Sequence, residues 1–327
     1  MATRIMEWID VEALAPRSLH AFDFAVVRLA DGSWLTVPVK VAVGNRPRPR
    51  LVALAGVHGD ELEGMLSLLD FWDTCDPGRL QGTVILVPVA NPPAFAAHQR
   101  RSSLDGLDLN RTFPGKADGT PSERLAYRLL HEVIAGSDFV FTLHSWYATG
   151  MVAPYVEFIE GDDPVAARSL AAAKAAGFRR LRQGEWPEGV LGRAAHRLGI
   201  PLIEAEIGGH GMSTPENRAA YLDHLTRLLQ HLWVLPGTPP PNPAPELYAR
   251  GNLFAPAGGM LRLAVRAGDR VETGTLLATI TDLHGERVAE MRAPYAGLVA
   301  AVRHYVSVNP GDHVFAFFRP LSGVDAG

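Results

Sequence analysis

Short uninterrupted apolar runs alternate along the chain with segments of helical period, and that alternation predicts its architecture. Leu51 to Ala55, Thr83 to Val89 and Asp138 to Leu143 lack the polar alternation of a half-exposed strand, so they predict strands buried on both faces. Met151 to Ile159 and Ile200 to Ile207 predict two more. Helices are predicted from Glu61, with Leu62, Met65, Leu66 and Leu69 at helical spacing, and over Ser122 to Ile134, Pro164 to Ala176, Gly189 to Leu198 and Pro215 to Trp233. Upstream, residues 20 to 43 form two strands around the turn Ala30-Asp31-Gly32-Ser33. Pro38 cannot donate to a ladder and marks the second of these as an edge strand. Strands alternating with helices predict an α/β fold with a mostly parallel, mixed sheet flanked by helices.

The texture changes at Pro236. Six prolines fall between Pro236 and Pro245, which predicts a stiff linker over residues 236–246. Beyond it, short strands punctuated by glycine predict a small all-β domain over residues 247–327, leaving residues 1–235 as the first domain. Gly259 to Val265 leading to Gly268-Asp269 resembles Gly297 to Val302 leading to Gly311-Asp312, so the β domain is expected to have two related halves. Residues 90 to 120 carry neither period and are rich in Pro, Gly, Asp and Arg; a long irregular segment inside a compact domain points to function.

Composition narrows the classes. With 47% hydrophobic and 20% charged residues the chain has a globular composition, and a formal charge of -4 without a basic stripe speaks against binding nucleic acid or an anionic membrane surface. Cys75 is the only cysteine, which rules out an intrachain disulfide or a thiolate metal cluster and suits a reducing cytoplasm. Charges interrupt the first residues before any apolar run develops, so no signal peptide is expected, and no window of about 18 uncharged apolar residues predicts a membrane span.

Ligands of an open α/β sheet gather beyond the carboxyl ends of its strands. The first buried strand runs into Gly56-Val57-His58-Gly59-Asp60-Glu61, a glycine-bracketed turn entering a helix, so His58 and Glu61 can converge on one point. Histidine with glutamate suits Zn²⁺, and a catalytic zinc needs a third protein ligand and an open position. His144 ends a second strand. Glu204 and Glu206 lie near the end of a third, two apart and therefore on one side; Glu206 is nearer the end, with Glu204 as the alternative acid. A single one of the twelve histidines is more often packed or exposed than a ligand, and Glu61 alone can complement its helix dipole. The coincidence at three strand ends carries the functional reading. The irregular segment adds Arg111, in a glycine- and proline-bounded loop, which can grip a carboxylate bidentately, and Arg100 or Arg101, which can stabilise an oxyanion. A solvated basic loop with Asp105 and Asp108 as partners is the competing account.

His58-Gly-Asp-Glu61, the loop Asp108-Leu-Asn110-Arg111-x-Phe-Pro-Gly, His144-Ser145 and Glu206-Ile-Gly together resemble the succinylglutamate desuccinylase/aspartoacylase family, a branch of the zinc carboxypeptidase-like fold, over residues 50 to 235. The resemblance implies one Zn²⁺ per chain held by His58, Glu61 and His144. It also implies Glu206 as catalytic glutamate, Asn110 and Arg111 as binders of the substrate carboxylate, and Arg100 or Arg101 as the group polarising the carbonyl. Family members often carry a C-terminal β domain, and the one here resembles a lipoyl/biotinyl-type barrel sandwich. Lys40, Lys116 and Lys174 are the only lysines and none follows the linker, which excludes covalent lipoylation or biotinylation there. A lid, a specificity wall or a homo-oligomer contact is the expected role.

The expected activity is zinc-dependent hydrolysis of the amide bond of a small N-acyl amino acid, with Glu206 as general base. A carboxypeptidase acting on peptides and a non-catalytic zinc-binding protein of the same fold are the alternatives. For acidic substrates Arg179, Arg180 and Arg182 are candidate extra cations, against the simpler account of a solvated surface cluster.

Overall fold

Three strands in which every residue is buried lie at the centre of the molecule. The computed structural model describes residues 4–242 and 244–321; Pro243 of the expected linker and residues 322–327 of the expected β domain lie outside the described residues. In chain order the first half contains β1 (Arg4–Met6), β2 (Ser18–Arg28), β3 (Trp34–Val43), β4 (Arg50–Ala55), α1 (Leu62–Thr74), β5 (Thr83–Val87), α2 (Pro92–Ala96), α3 (Pro121–Arg128) and β6 (Phe139–His144). Next come β7 (Gly150–Ile159), α4 (Pro164–Ala175), β8 (Arg180–Gly184), α5 (Leu191–Arg197), β9 (Leu202–Gly209) and α6 (Pro215–His231). The remainder is β: β10 (Glu246–Phe254), β11 (Gly259–Leu263), β12 (Arg270–Val271), β13 (Leu276–Thr281), β14 (Arg287–Arg292), β15 (Gly297–Arg303), β16 (Ser307–Val308) and β17 (His313–Pro320).

β4, β5 and β6 are the fully buried strands, and their period of two feeds two cores. Val52 and Leu54 face a cluster with Leu125, Leu129 and Leu191 from the α3 and α5 side, whereas Leu51, Ala53 and Ala55 face Met65, Leu68, Tyr221 and Leu225 from α1 and α6. Helices thus cover both faces, which is why these strands are continuous apolar runs. The sheet is mixed. Parallel order is concentrated in β5-β4-β6-β9, while β3 joins β5 and β7 joins β9 antiparallel.

The C-terminal strands are continuous with this sheet. β10 pairs parallel with β8, β17 with β10, and β15 with both β17 and β7, closing the ring β7-β8-β10-β17-β15. Tyr155, Tyr248, Leu298 and Phe318 tie the ring into one buried cluster, with Phe318 against Tyr155 at 4.9 Å between ring centroids. A second sheet, β14-β13-β11-β16, packs on β15 and β17. The two similar stretches interlock: β11 pairs with β16 and β12 with β15. Ahead of β10, Asn242 donates to the carbonyls of Lys174 and Phe178, so this part of the proline-rich segment lies against the end of α4.

Several local expectations change. β3 is an interior strand, paired with β2 and β5; Pro38 is tolerated because the β5 ladder begins only at Lys40. α1 buries Gly64, Met65 and Leu68, leaving Leu66 exposed. The helix expected over 122–134 is α-helical only to Arg128 and continues as a π-turn over Leu129–Ile134. The irregular segment contains α2 and a 3₁₀ turn at Leu109–Arg111, while β8, an arginine-bearing strand, has no apolar signature. No helix among the described residues is long and apolar enough to cross a membrane.

The ring predicts where stability resides. Phe318→Ala, at a fully buried position between Tyr155 and Tyr248, is expected to cost about 3–5 kcal/mol in urea unfolding followed by tryptophan fluorescence.

Candidate metal centre and pocket

Two backbone constraints shape the turn after β4. Gly56 has φ +65°, and a Cβ there would lie 2.9 Å from Val89 Cα; a Cβ on Gly59 would lie 2.0 Å from the Ala94 carbonyl carbon. Only glycine lets the turn run this close to the chain around α2. The turn delivers His58 and places Glu61 at the N-cap of α1. β4 and β6 run parallel in register, Ala55 beside Leu143, so His144 arrives next to the same turn.

The three side chains converge. Glu61 Oε1 lies 2.7 Å from His58 Nδ1, and Oε2 lies 2.8 Å from His144 Nδ1, with one potential ligand atom from each residue inside 4.8 Å of the others. All three are 3% exposed, burial that ionisable groups tolerate only when partnered. Partners stand behind the imidazoles: His58 Nε2 is 3.3 Å from Asp108 Oδ1, and His144 Nε2 is 3.6 Å from Glu204 Oε2. Asp108 is itself held by the Arg100 Nε, at 2.9 Å, and the Asn110 backbone N–H. Tyr221 donates its hydroxyl to the His144 carbonyl. The charges reinforce one another. Burial pushes Glu61 up, but His58 and His144 outweigh it and hold the carboxyl well below its usual range. Burial opposes charge on His144, yet Glu204 and Glu61 push it up to about 9.

This donor set fits a divalent cation. Two Nδ1 atoms and a carboxylate face one point while each Nε2 is turned toward an outer carboxylate, the arrangement that fixes tautomer and ring orientation around a bound metal.

Glu206 lies beside His144 in the β6–β9 register. Its Oε2 is buried with no hydrogen-bond partner among the described residues, and burial together with the Glu61 charge pushes the carboxyl up to about 8. Glu63 accepts the Gly209 N–H at 2.8 Å and so ties the end of β9 to α1. Of the two adjacent arginines, Arg100 enters the site, 3.5 Å from Glu61 Oε1 and stacked over Tyr147; Arg101 is exposed and donates to the Gly106 carbonyl. Asn110 is buried with its Oδ1 accepting the Leu191 N–H, which leaves its amide nitrogen for a ligand, and Arg111 sits exposed at the rim.

These residues open into a cavity of about 300 Å³. Another part of its lining comes from β7, β8 and β10. Arg182, a candidate extra cation weighed against a solvated cluster with Arg179 and Arg180, lines the cavity but is largely buried in an ion pair with Glu157, its register partner across β7 and β8, and Trp186 donates to the same carboxylate. Trp146 follows His144, and Arg250 with Asn252 reaches the cavity from β10. No periodicity marks these positions; only the pairing of β7, β8 and β10 brings them together.

A buried His-Glu-His cluster at strand ends, with the Glu206 carboxylate beside it, makes the molecule an α/β protein with a candidate metal centre. Residues 47–232 match the succinylglutamate desuccinylase/aspartoacylase catalytic domain, and the chain belongs to that family of amide-bond hydrolases. It is 32% identical over 306 residues, 90% of each chain, to the N-alpha-acetyl-L-2,4-diaminobutyric acid deacetylase of Halomonas elongata. Its fold is similar to the product-bound ectoine utilization protein EutE of Ruegeria pomeroyi, with TM-score 0.86, 26% identity, and 93% and 96% of the two chains covered. It is equally similar to a succinylglutamate desuccinylase/aspartoacylase from Rhodobacter sphaeroides, with TM-score 0.85, 27% identity, and 96% and 98% covered.

The turn gives a direct structural test. Gly59→Ala must displace backbone rather than a side chain, so it is expected to lower stability by about 3 kcal/mol in denaturant titration.

Proposed function

We propose that the chain is a zinc-dependent deacylase that hydrolyses the amide bond of a small N-acyl amino acid. The observation that carries this reading is the convergence of His58, Glu61 and His144 on one point beside the unpartnered Glu206 carboxylate. Two imidazoles and one carboxylate are a ligand set suited to catalytic zinc, one per chain. Bound there, zinc would acidify a water and polarise the amide carbonyl. Glu206 takes the proton of the attacking water and returns it to the leaving amine; a carboxyl group raised toward neutrality is matched to both transfers. Arg100, beside Glu61 and braced by Asp108, stabilises the oxyanion. The Asn110 amide nitrogen and Arg111 hold the substrate carboxylate.

The small cavity favours a compact substrate over a peptide. The Halomonas relative supports an N-acetylated diamino acid such as N-α-acetyl-2,4-diaminobutyrate as the first substrate to try. In the same reading residues 1–235 are a zinc-carboxypeptidase-like catalytic domain, 236–246 the linker, and 247–327 a β domain that walls the pocket.

Glu206→Gln is expected to lower kcat by about 10²- to 10⁴-fold in an amine-release assay while zinc content stays near one per chain. Activity at the wild-type rate in that variant contradicts the mechanism. Asp108→Asn, which removes the charge behind His58, is expected to weaken zinc binding by about 10- to 100-fold in chelator competition.

A further inference from the structure

The cavity beside the metal centre is lined by two arginines in different states. Arg182 is neutralised by Glu157. Arg250, on β10 of the C-terminal region, is not: among the described residues no carboxylate lies within 4.0 Å of it. Among the described residues its only side-chain hydrogen bond is from Nε to Asn252 Oδ1, at 3.0 Å, and neither terminal nitrogen has an acceptor there. The guanidinium is nonetheless held in place, stacked over Trp146 at 5.3 Å from the ring centroid, and both residues line the cavity that contains His58, His144 and Glu206. A half-buried, stacked guanidinium with its fork free is pre-organised for a planar anion, and binding one removes little conformational freedom.

We infer that Arg250 is a substrate-binding residue that receives a carboxylate of the substrate, so the C-terminal β region completes the specificity pocket of the hydrolase. The inference rests on the hydrolase reading above for the identity of the ligand as an N-acyl amino acid. The carboxylate has two sources: the amino-acid half of the substrate, shared with Arg111 across the cavity, or a dicarboxylic acyl group. Both present the same group to the same fork.

The test compares wild type, Arg250→Gln and Arg250→Lys, all zinc-loaded and matched for melting temperature, on three substrates. N-α-acetyl-2,4-diaminobutyrate carries only the amino-acid carboxylate, its carboxamide carries none, and the N-succinyl carboxamide carries only the acyl carboxylate. Arg250→Gln is expected to raise KM by about 10- to 100-fold on whichever carboxylate-bearing substrate the residue reads, with kcat largely kept and the carboxamide unaffected. Arg250→Lys should recover part of the loss and also serves if the glutamine variant fails to fold. A loss equal on all three substrates, or an unchanged KM on both acids, overturns the inference. Calorimetric titration of 2,4-diaminobutyrate and of succinate gives a readout independent of turnover. If wild type hydrolyses none of the substrates, the hydrolase reading fails. Weaker binding of either acid to Arg250→Gln then still supports the Arg250 assignment, and equal or absent binding overturns it.

Discussion

The carboxylate of Glu61, buried between two buried imidazoles, is the contact on which the site depends. Removing a charge from water costs several kcal/mol unless partners replace the solvent. Glu61 therefore cannot be separated from His58 and His144, and they in turn depend on Asp108 and Glu204 behind them. The fold meets this demand through parallel registration of β4 with β6 and of β6 with β9, which sets the turn after Ala55, the end at His144 and Glu206 side by side. The apolar strands are thus the rulers that bring an electrostatically costly cluster to one point.

The same logic extends across the pocket floor. Glu204, Glu157 and Arg182 stand in one register row over β9, β7 and β8, so two acids that would repel as neighbours share an environment with a buried cation. Closing the ring through β10, β17 and β15 protects the edges that β7 and β8 would otherwise expose. It also turns the C-terminal strands into a wall of the cavity. The β region and the metal centre are parts of one continuous sheet, which couples pocket shape to the integrity of the C-terminal strands.

Much of this was legible in the sequence for a physical reason. β4, β5 and β6 are buried on both faces and announce themselves as apolar runs, and chemistry at strand ends follows directly from them. The residues that stayed hidden depend on pairing between distant strands. Arg182 looks like one of a basic surface cluster until Glu157 is placed opposite it, and Arg250 lies in a strand whose neighbour, β8, has no apolar pattern. Pro38 misled for a similar reason: a rule about ladders holds only over the residues that pair, and the β5 ladder starts two residues later. Adjacent Arg100 and Arg101 could not be separated by spacing; the turn around Asp108 draws one inward and leaves the other in solvent.

The most direct test of the central claim is anomalous diffraction at the zinc absorption edge from crystals grown with zinc. The account predicts one strong peak per chain within about 2.0–2.2 Å of His58 Nδ1, His144 Nδ1 and a Glu61 oxygen. Zinc absent from that point, or bound only at other residues, would contradict it.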